Sequence, residues 1–323
     1  MKQRLLYPPL TTKYKGEHIP PASLIGGKAV GLYWLAAHGF PAPPTWALNI
    51  SLFNVAIQKS GEHRTIVRIW DSMRELEDDW KITHQRLSEI EPELANIRKA
   101  LQSISQFNMA VEALSELPTT KHLHWAVRSS ATVEDNPKYS FAGQFHSRIS
   151  VLRYALWSTI REVWASVFTK EVLSYCIHHK TSLPRMGVVL QPMQPVTAED
   201  RAGVMFSHSP IPMMEGVIIQ ATFGTGATVV AGRGGDIYSV DDGAVTIQAM
   251  PPDHIEVSGP EGKMRSMTPP DRLPLTKEEA RTLADLTTRV AELWGEPVDI
   301  EFIWRANAPE PKLVQVRSTT GRL

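Results

Sequence analysis

Hydrophobic and polar positions alternate most regularly near the end of the chain. Over Pro297–Trp304, Val298, Ile300 and Phe302 fall on one face of an extended segment while Asp299 and Glu301 fall on the other, the period of a strand. A polar stretch at 305–311, with Asn307, Pro309 and Pro311, leads to a second such run, Lys312–Arg317. There Gln315 and Arg317 share a face, and Val314 and Val316 are expected on the opposite, core-facing one. The pair predicts a hairpin with two carboxylates, an amide oxygen and a guanidinium on one polar surface.

Elsewhere the period is that of helices or of buried strands. Ile66, Ile69, Trp70 and Met73, then Ile90, Leu94, Ile97 and Leu101, recur at helical spacing, so 51–117 reads as helical scaffold without chemistry of its own. Leu156–His179 reads as a further helix burying Trp157, Ile160, Trp164, Val167 and Phe168. Met186–Met193, Ala202–Phe206 and Val217–Ala221 are short apolar runs that predict interior strands. After Val217–Ala221 comes a Gly-rich connection, residues 223–236, with no helix clearly following. Residues 238–270 read as one short strand and then a Pro- and Gly-containing loop. The last helix opens at a capping box, Thr276 with Glu279, and is stopped by Gly295.

Two polar stretches interrupt this scaffold with side chains suited to phosphate. Gly26–Gly27–Lys28 precedes a helical pattern, and glycines at a helix mouth let backbone amides approach an anion that the helix dipole and a lysine favour. A plain loop before a helix gives the same letters, and the spacing is not that of a P-loop. At His124–Asp135 a short apolar strand is expected to deliver Arg128 and the hydroxyls of Ser129, Ser130 and Thr132 into a polar loop running on through Ser140–Gln144. That loop reads equally as a phosphate site or as a surface turn. The closing hairpin offers hard oxygen donors and a guanidinium fork, a set that suits Mg²⁺ and phosphate. On its residues alone, a solvated face with cross-strand ion pairs is the favoured reading.

Composition narrows the classes. A chain of 323 residues is long enough for two lobes, and 34 Lys+Arg against 34 Asp+Glu leave no net charge and no basic stripe to mark nucleic acid or an anionic membrane. The single Cys176 excludes an intrachain disulfide framework and, in a helical apolar pattern, reads as a core residue in a reducing, cytoplasmic setting. The N-terminal residues are basic without a long apolar run, so neither a signal peptide nor a membrane span is expected.

Eight stretches, taken in order, resemble one family: GGKAVGL (26–32), AVRSSATVED (126–135), SFAGQ (140–144), VWASVF (163–168), GVVLQPM (187–193), AGVMFSHSP (202–210), VDIEF (298–302) and LVQVRS (313–318). They resemble the ATP-binding domain of pyruvate phosphate dikinase, phosphoenolpyruvate synthase and rifampin phosphotransferase. The resemblance implies an α+β, ATP-grasp-like, two-lobed fold with the nucleotide between the lobes. The expected division is 1–220, including the helical scaffold, and 221–323, carrying the metal- and phosphate-binding strands.

It also implies roles. Lys28, Arg128 and Arg317 are expected to act on ATP phosphates. Asp299, Glu301 and Gln315 are expected to hold Mg²⁺ as well as the nucleotide. Gln191 and Met193 fall where an adenine-side strand is expected, and Ser140, Gly143 and Gln144 where a loop covers the phosphates. In the family, ATP is cleaved to AMP and phosphate passes to a histidine on a separate swivelling domain, which phosphorylates an acceptor.

His146 and His208 read as local hydrogen-bonding residues rather than as phosphate carriers. The expected partner is therefore a phosphohistidine domain or subunit that binds the small-molecule acceptor, as in the split enzyme phenylphosphate synthase. Two departures stand out. Gly224–Thr225–Gly226–Ala227 replaces the family's Gly-Leu-Gly-Glu, removing an acidic contact, and Ser318 replaces a proline. Two other classes stay open, an ATP-grasp ligase that releases ADP and a non-catalytic ATP-binding subunit.

Overall fold

We describe residues 4–10, 19–74, 80–119, 124–134, 143–211, 214–259 and 261–319 of the chain in a computed structural model, with the backbone alone for 80–82. Ser140 and the rest of 135–142 lie outside the described residues. The chain divides into two compact units. The first is built chiefly from His18–Val30 and Thr45–Pro192, the second chiefly from Gly31–Pro44 and Met193–Leu323. The division therefore falls at Pro192/Met193, whereas the boundary expected at 220/221 lies inside a strand.

The first unit has a five-stranded sheet made of β1 (Leu6–Tyr7), β2 (Trp46–Leu48), β3 (His124–Ala131), β4 (Ser147–Leu152) and β5 (Met186–Met193), in the order β1-β2-β5-β3-β4. β5 lies between two neighbours, which is why 186–190 are apolar without interruption and fully buried. Its helices are α1 (Ala22–Ile25), the start of α2 (Gly27–Ala37), α3 (Ile50–Ser60), α4 (His63–Arg74), α5 (Trp80–Ser103), α6 (Asn108–Ser115), α7 (Leu156–Ala165) and α8 (Lys170–His178). The helical scaffold expected over 51–117 is thus present. Its apolar stripes close with Phe53, Trp125, Trp164 and Phe168 into one core.

The single helix expected over Leu156–His179 is two. Thr169 takes extended backbone, and its Oγ1 accepts from Val172 N at 3.3 Å, capping α8. Val167 and Phe168 are buried as expected, in the turn between the two helices. Cys176 is buried as expected, and burial pushes its thiol up to about 11.

The second unit is organised on a six-stranded, fully antiparallel sheet. It uses β6 (Arg201–Phe206), β7 (Val217–Phe223), β8 (Asp236–Asp241), β9 (Ala244–Gln248), β12 (Val298–Trp304) and β13 (Lys312–Ser318), in the order β13-β12-β6-β7-β8-β9. A separate ribbon pairs β10 (Ile255–Ser258) with β11 (Met264–Met267). The short α9 (Ala227–Val230) follows the Gly-rich connection, where no helix was expected.

Residues 238–270 hold four strands rather than one. Asp242 and Gly243, both at positive φ, make the two-residue turn between β8 and β9. That Asp-Gly pair was a hairpin signal available in the sequence. Helix α10 (Lys277–Trp294) begins at the expected capping box, with Thr276 N donating to Glu279 Oε2 at 2.8 Å and Glu279 N to Thr276 Oγ1 at 3.1 Å. Its buried residues Leu283, Leu286 and Val290 cover one face of the sheet with Tyr238, Ile300 and Phe302.

Separate sheets with helices outside them make the chain α+β. Among the described residues no helix is long and apolar enough to cross a membrane.

Candidate functional site

Each unit holds an ionic cluster that includes residues singled out in the sequence. In the first unit, α1 ends at Gly26, whose φ of 79° and ψ of 165° belong to a region that side chains other than glycine's do not occupy comfortably. A Cβ there would lie 1.8 Å from Ser130 O, so glycine is what lets the start of α2 close onto β3. Ala29 N donates to Ser130 Oγ at 3.0 Å, which satisfies one of the amides that a helix leaves open in its first turn.

Lys28, one residue earlier, is turned into the same contact. Its Nζ donates to Glu134 Oε1 at 3.0 Å and to Ser129 Oγ at 3.2 Å, and both members of the ion pair are buried. Ser129 Oγ donates in turn to Glu134 Oε1 at 3.0 Å, and Ala131 N donates to Glu134 Oε2 at 2.8 Å. Of the hydroxyls expected in a polar loop, those of Ser129 and Ser130 lie on the strand itself and are buried, because β3 runs past Arg128 to Ala131, while Thr132 follows it half-buried in a turn. Arg128 is half-buried, on the strand face that Ser130 shares by alternation.

Gln191, also buried, donates from Nε2 to Thr45 Oγ1 at 3.0 Å. Met193 is half-buried and belongs to the second unit. Gly143, at φ 73°, is exposed, and Gln144 is half-buried beside the buried Phe145.

In the second unit the closing hairpin sets the geometry. Asp299 pairs across the ladder with Arg317, and Glu301 with Gln315. Directly opposed residues share a face, so the four groups form one polar surface. Arg317 Nε donates to Asp299 Oδ2 at 2.9 Å, and Nη2 contacts the same oxygen. Asp299 and Gln315 are buried, while Glu301 and Arg317 are half-buried. Burial raises the Asp299 carboxyl above its ordinary range, against the opposing pull of Arg317, with Glu301 adding to the rise.

One expectation needs correction here. The register shifts between Glu301 and Phe302, so Phe302 meets Leu313 and Val314 is the extra residue of a β-bulge. The core-facing residues of β13 are therefore Leu313 and Val316, and Val314 is half-buried.

The polar surface continues onto β6, where Val204 lies opposite Glu301 and Phe206 opposite Asp299, both half-buried. Carboxylate, amide and guanidinium thus stand beside an apolar shelf. Next to Val204, Gln220 Nε2 donates to Gly234 O at 3.3 Å, tying down the end of the Gly-rich connection. At its start, Gly224 N donates to Asp200 O at 2.7 Å and Thr225 N to Glu256 O at 3.0 Å. Among the described residues no group of three or more His, Cys, Asp or Glu is placed to hold a metal ion, so a cation at the hairpin would draw on the carboxylates together with the Gln315 amide oxygen.

Glu134 was not singled out in the sequence. It was legible only as the next-to-last letter of AVRSSATVED, and its partner lies 106 residues earlier.

A family model for the pyruvate phosphate dikinase AMP/ATP-binding domain matches residues 22–322, and the chain belongs to that family. Curated relatives agree. A probable phosphoenolpyruvate synthase of Archaeoglobus fulgidus is 28% identical over 92% of this chain and 40% of its own length. A rifampicin phosphotransferase of Bacillus cereus is 26% identical over 86% of this chain and 32% of its own length. An uncharacterised phosphotransferase of Bacillus subtilis is 26% identical over 87% and 32%. The chain therefore spans about a third to two fifths of the length of these relatives.

Proposed function

We propose that this chain binds ATP with Mg²⁺ and is the ATP-activating part of a dikinase-type phosphotransferase. In this reading a histidine on a separate domain or polypeptide forms a bond to phosphorus as the phosphorus–oxygen bond to AMP breaks. Water or phosphate takes the terminal phosphoryl group, giving phosphate or pyrophosphate, and the phosphohistidine then phosphorylates an organic acceptor held by the partner. The ATP-grasp-like, two-lobed reading of the fold and the cytoplasmic setting belong to the same proposal.

The observation that carries it is the register that sets Asp299 against Arg317 and Glu301 against Gln315 on one face of a hairpin, in a chain of this family. Phosphoryl transfer depends on positioning and on neutralising charge, and the chain supplies groups for both. Lys28, Arg128 and Arg317 are the cations that would offset phosphate charge. Glu301 and Gln315 present hard oxygen donors that fit Mg²⁺, with Asp299 beside them held by Arg317. When bound, the ion supplies further charge neutralisation. Gly143, Gln144 and Ser140 would cover the phosphates, and Gln191 and Met193 would face the base. A partner histidine supplies the nucleophile, so no base on this chain is required.

The test uses ATP labelled at the β-phosphate, with and without the histidine-bearing partner. AMP together with acid-labile label on a partner histidine is the expected result. ADP without label would favour the ligase reading, and nucleotide binding without turnover the non-catalytic one. Glu301→Gln and Arg317→Ala should each lower transfer by about 100-fold or more while the circular dichroism spectrum stays native. Near-normal turnover in both overturns the site assignment.

A further inference from the structure

We infer that Glu134 is a positioning residue that fixes the ammonium of Lys28 for a phosphate oxygen. The inference rests on the nucleotide-binding reading above and adds to it a residue with no role in that reading so far.

The geometry is specific. Glu134 is a buried carboxylate that accepts three hydrogen bonds, from Lys28 Nζ, Ser129 Oγ and Ala131 N. The Ala131 contact closes the turn that brings Glu134 back beneath the end of β3, with Glu134 N donating to Ala131 O at 3.2 Å. The carboxylate is therefore held before it meets the lysine. A lysine on a four-carbon stem ordinarily samples many rotamers, and fixing it costs conformational entropy on binding. Here that cost is met during folding, because Nζ already has two acceptors fixed by β3.

A lysine ammonium has three donors. Among the described residues, Lys28 spends one on Glu134 and one on Ser129, which leaves one for an incoming acceptor. The pair is also charge-balanced, so burying the lysine does not leave an isolated cation. A negatively charged ligand that approaches the remaining donor meets an ammonium whose direction is set by two bonds. Glu134 touches no substrate in this arrangement and acts through Lys28.

The experiment is a double-mutant cycle on MgATP affinity, measured by calorimetry with the whole chain: wild type, Glu134→Gln, Lys28→Met and the double variant. Glu134→Gln should weaken MgATP binding about tenfold, and should have no further effect once Lys28 is Met, because its influence passes through that side chain. A purely structural Glu134 would instead lower affinity by the same factor in both backgrounds, and that additive result overturns the inference.

A second readout needs no nucleotide. The Lys28 amine should resist acylation by an N-hydroxysuccinimide acetate in the wild type and react severalfold faster in Glu134→Gln, as followed by peptide mass spectrometry. Equal rates overturn the inference. If Glu134→Gln fails to fold, Ser129→Ala removes the other acceptor from Lys28 and should give the same two changes in smaller measure, and unchanged affinity and acylation there overturn the inference. Failure of the wild type to bind MgATP sinks the nucleotide reading and this inference with it. Binding by the wild type that Glu134→Gln leaves untouched sinks the inference alone.

Discussion

The two ionic clusters are built from the same chemistry in opposite ways. In the second unit, Asp299 and Arg317 are 18 residues apart on adjacent strands of a hairpin, and their meeting follows from alternation and a short turn. In the first, Lys28 and Glu134 are 106 residues apart and meet only because the start of α2 is packed on the end of β3. The hairpin pair keeps Arg317 half-buried, whereas the pair beneath β3 is enclosed on both sides, with its carboxylate fully engaged. A local pair can stay partly wet and exchange partners. The enclosed Lys28–Glu134 pair is buried, and breaking it leaves an unpaired charge in a low-dielectric surrounding.

This contrast can be tested by removing one cation from each cluster. Lys28→Met leaves the buried Glu134 without its counter-ion and should cost about 3–5 kcal/mol of unfolding free energy in urea. Arg317→Ala removes a half-buried guanidinium and leaves an Asp299 carboxyl whose burial already favours its neutral, protonated form, so it should cost about 1–3 kcal/mol, the scale of a hydrogen bond to a charged group. Equal losses, or a larger loss for Arg317, would remove the distinction between the two clusters.

Gly26→Ala probes what brings the enclosed pair together. The backbone conformation alone carries a penalty of about 1–3 kcal/mol, and the added Cβ would lie 1.8 Å from Ser130 O, so the melting temperature should fall and MgATP affinity with it. A variant as stable and as tight-binding as the wild type would show that the close approach is dispensable.

The smallest effect concerns pH at the hairpin. Asp299 is raised from its ordinary 3.8, chiefly by burial, so the folded state binds its proton more tightly than the unfolded state. Its contribution to stability is therefore greatest at acid pH and is lost as pH rises through the raised value. Asp299→Asn removes that loss. The melting temperature of the variant relative to the wild type should increase between about pH 4 and pH 7, and a difference that stays flat or falls contradicts the assigned direction.

Much of the second unit was legible because its signals are short-ranged. The capping box at Thr276 and Glu279, the stop at Gly295 and the alternation along Val298–Trp304 each depend on residues within a few positions of one another. The bulge at Val314 was not legible, since an extra residue in one strand shows only against the register of its neighbour. The break between α7 and α8 was missed for a similar reason. Val167 and Phe168 fit a helical stripe in sequence and are buried, but Thr169 takes extended backbone and caps a new helix. The Asp242–Gly243 turn, by contrast, was written in the sequence and was passed over inside what read as a loop.

The sequence by itself determined the helical scaffold, the interior strands, the last helix, the α+β class, the family and the polar face of the closing hairpin, because each rests on local periodicity or on ordered motifs. Only the tertiary structure decided that Ser129 and Ser130 are buried on a strand rather than displayed in a loop, and that Glu134 is the partner of Lys28. The physical reason is distance along the chain. A carboxylate and an ammonium more than a hundred residues apart carry no mutual signal in sequence, and they become a pair only when packing removes the water between them.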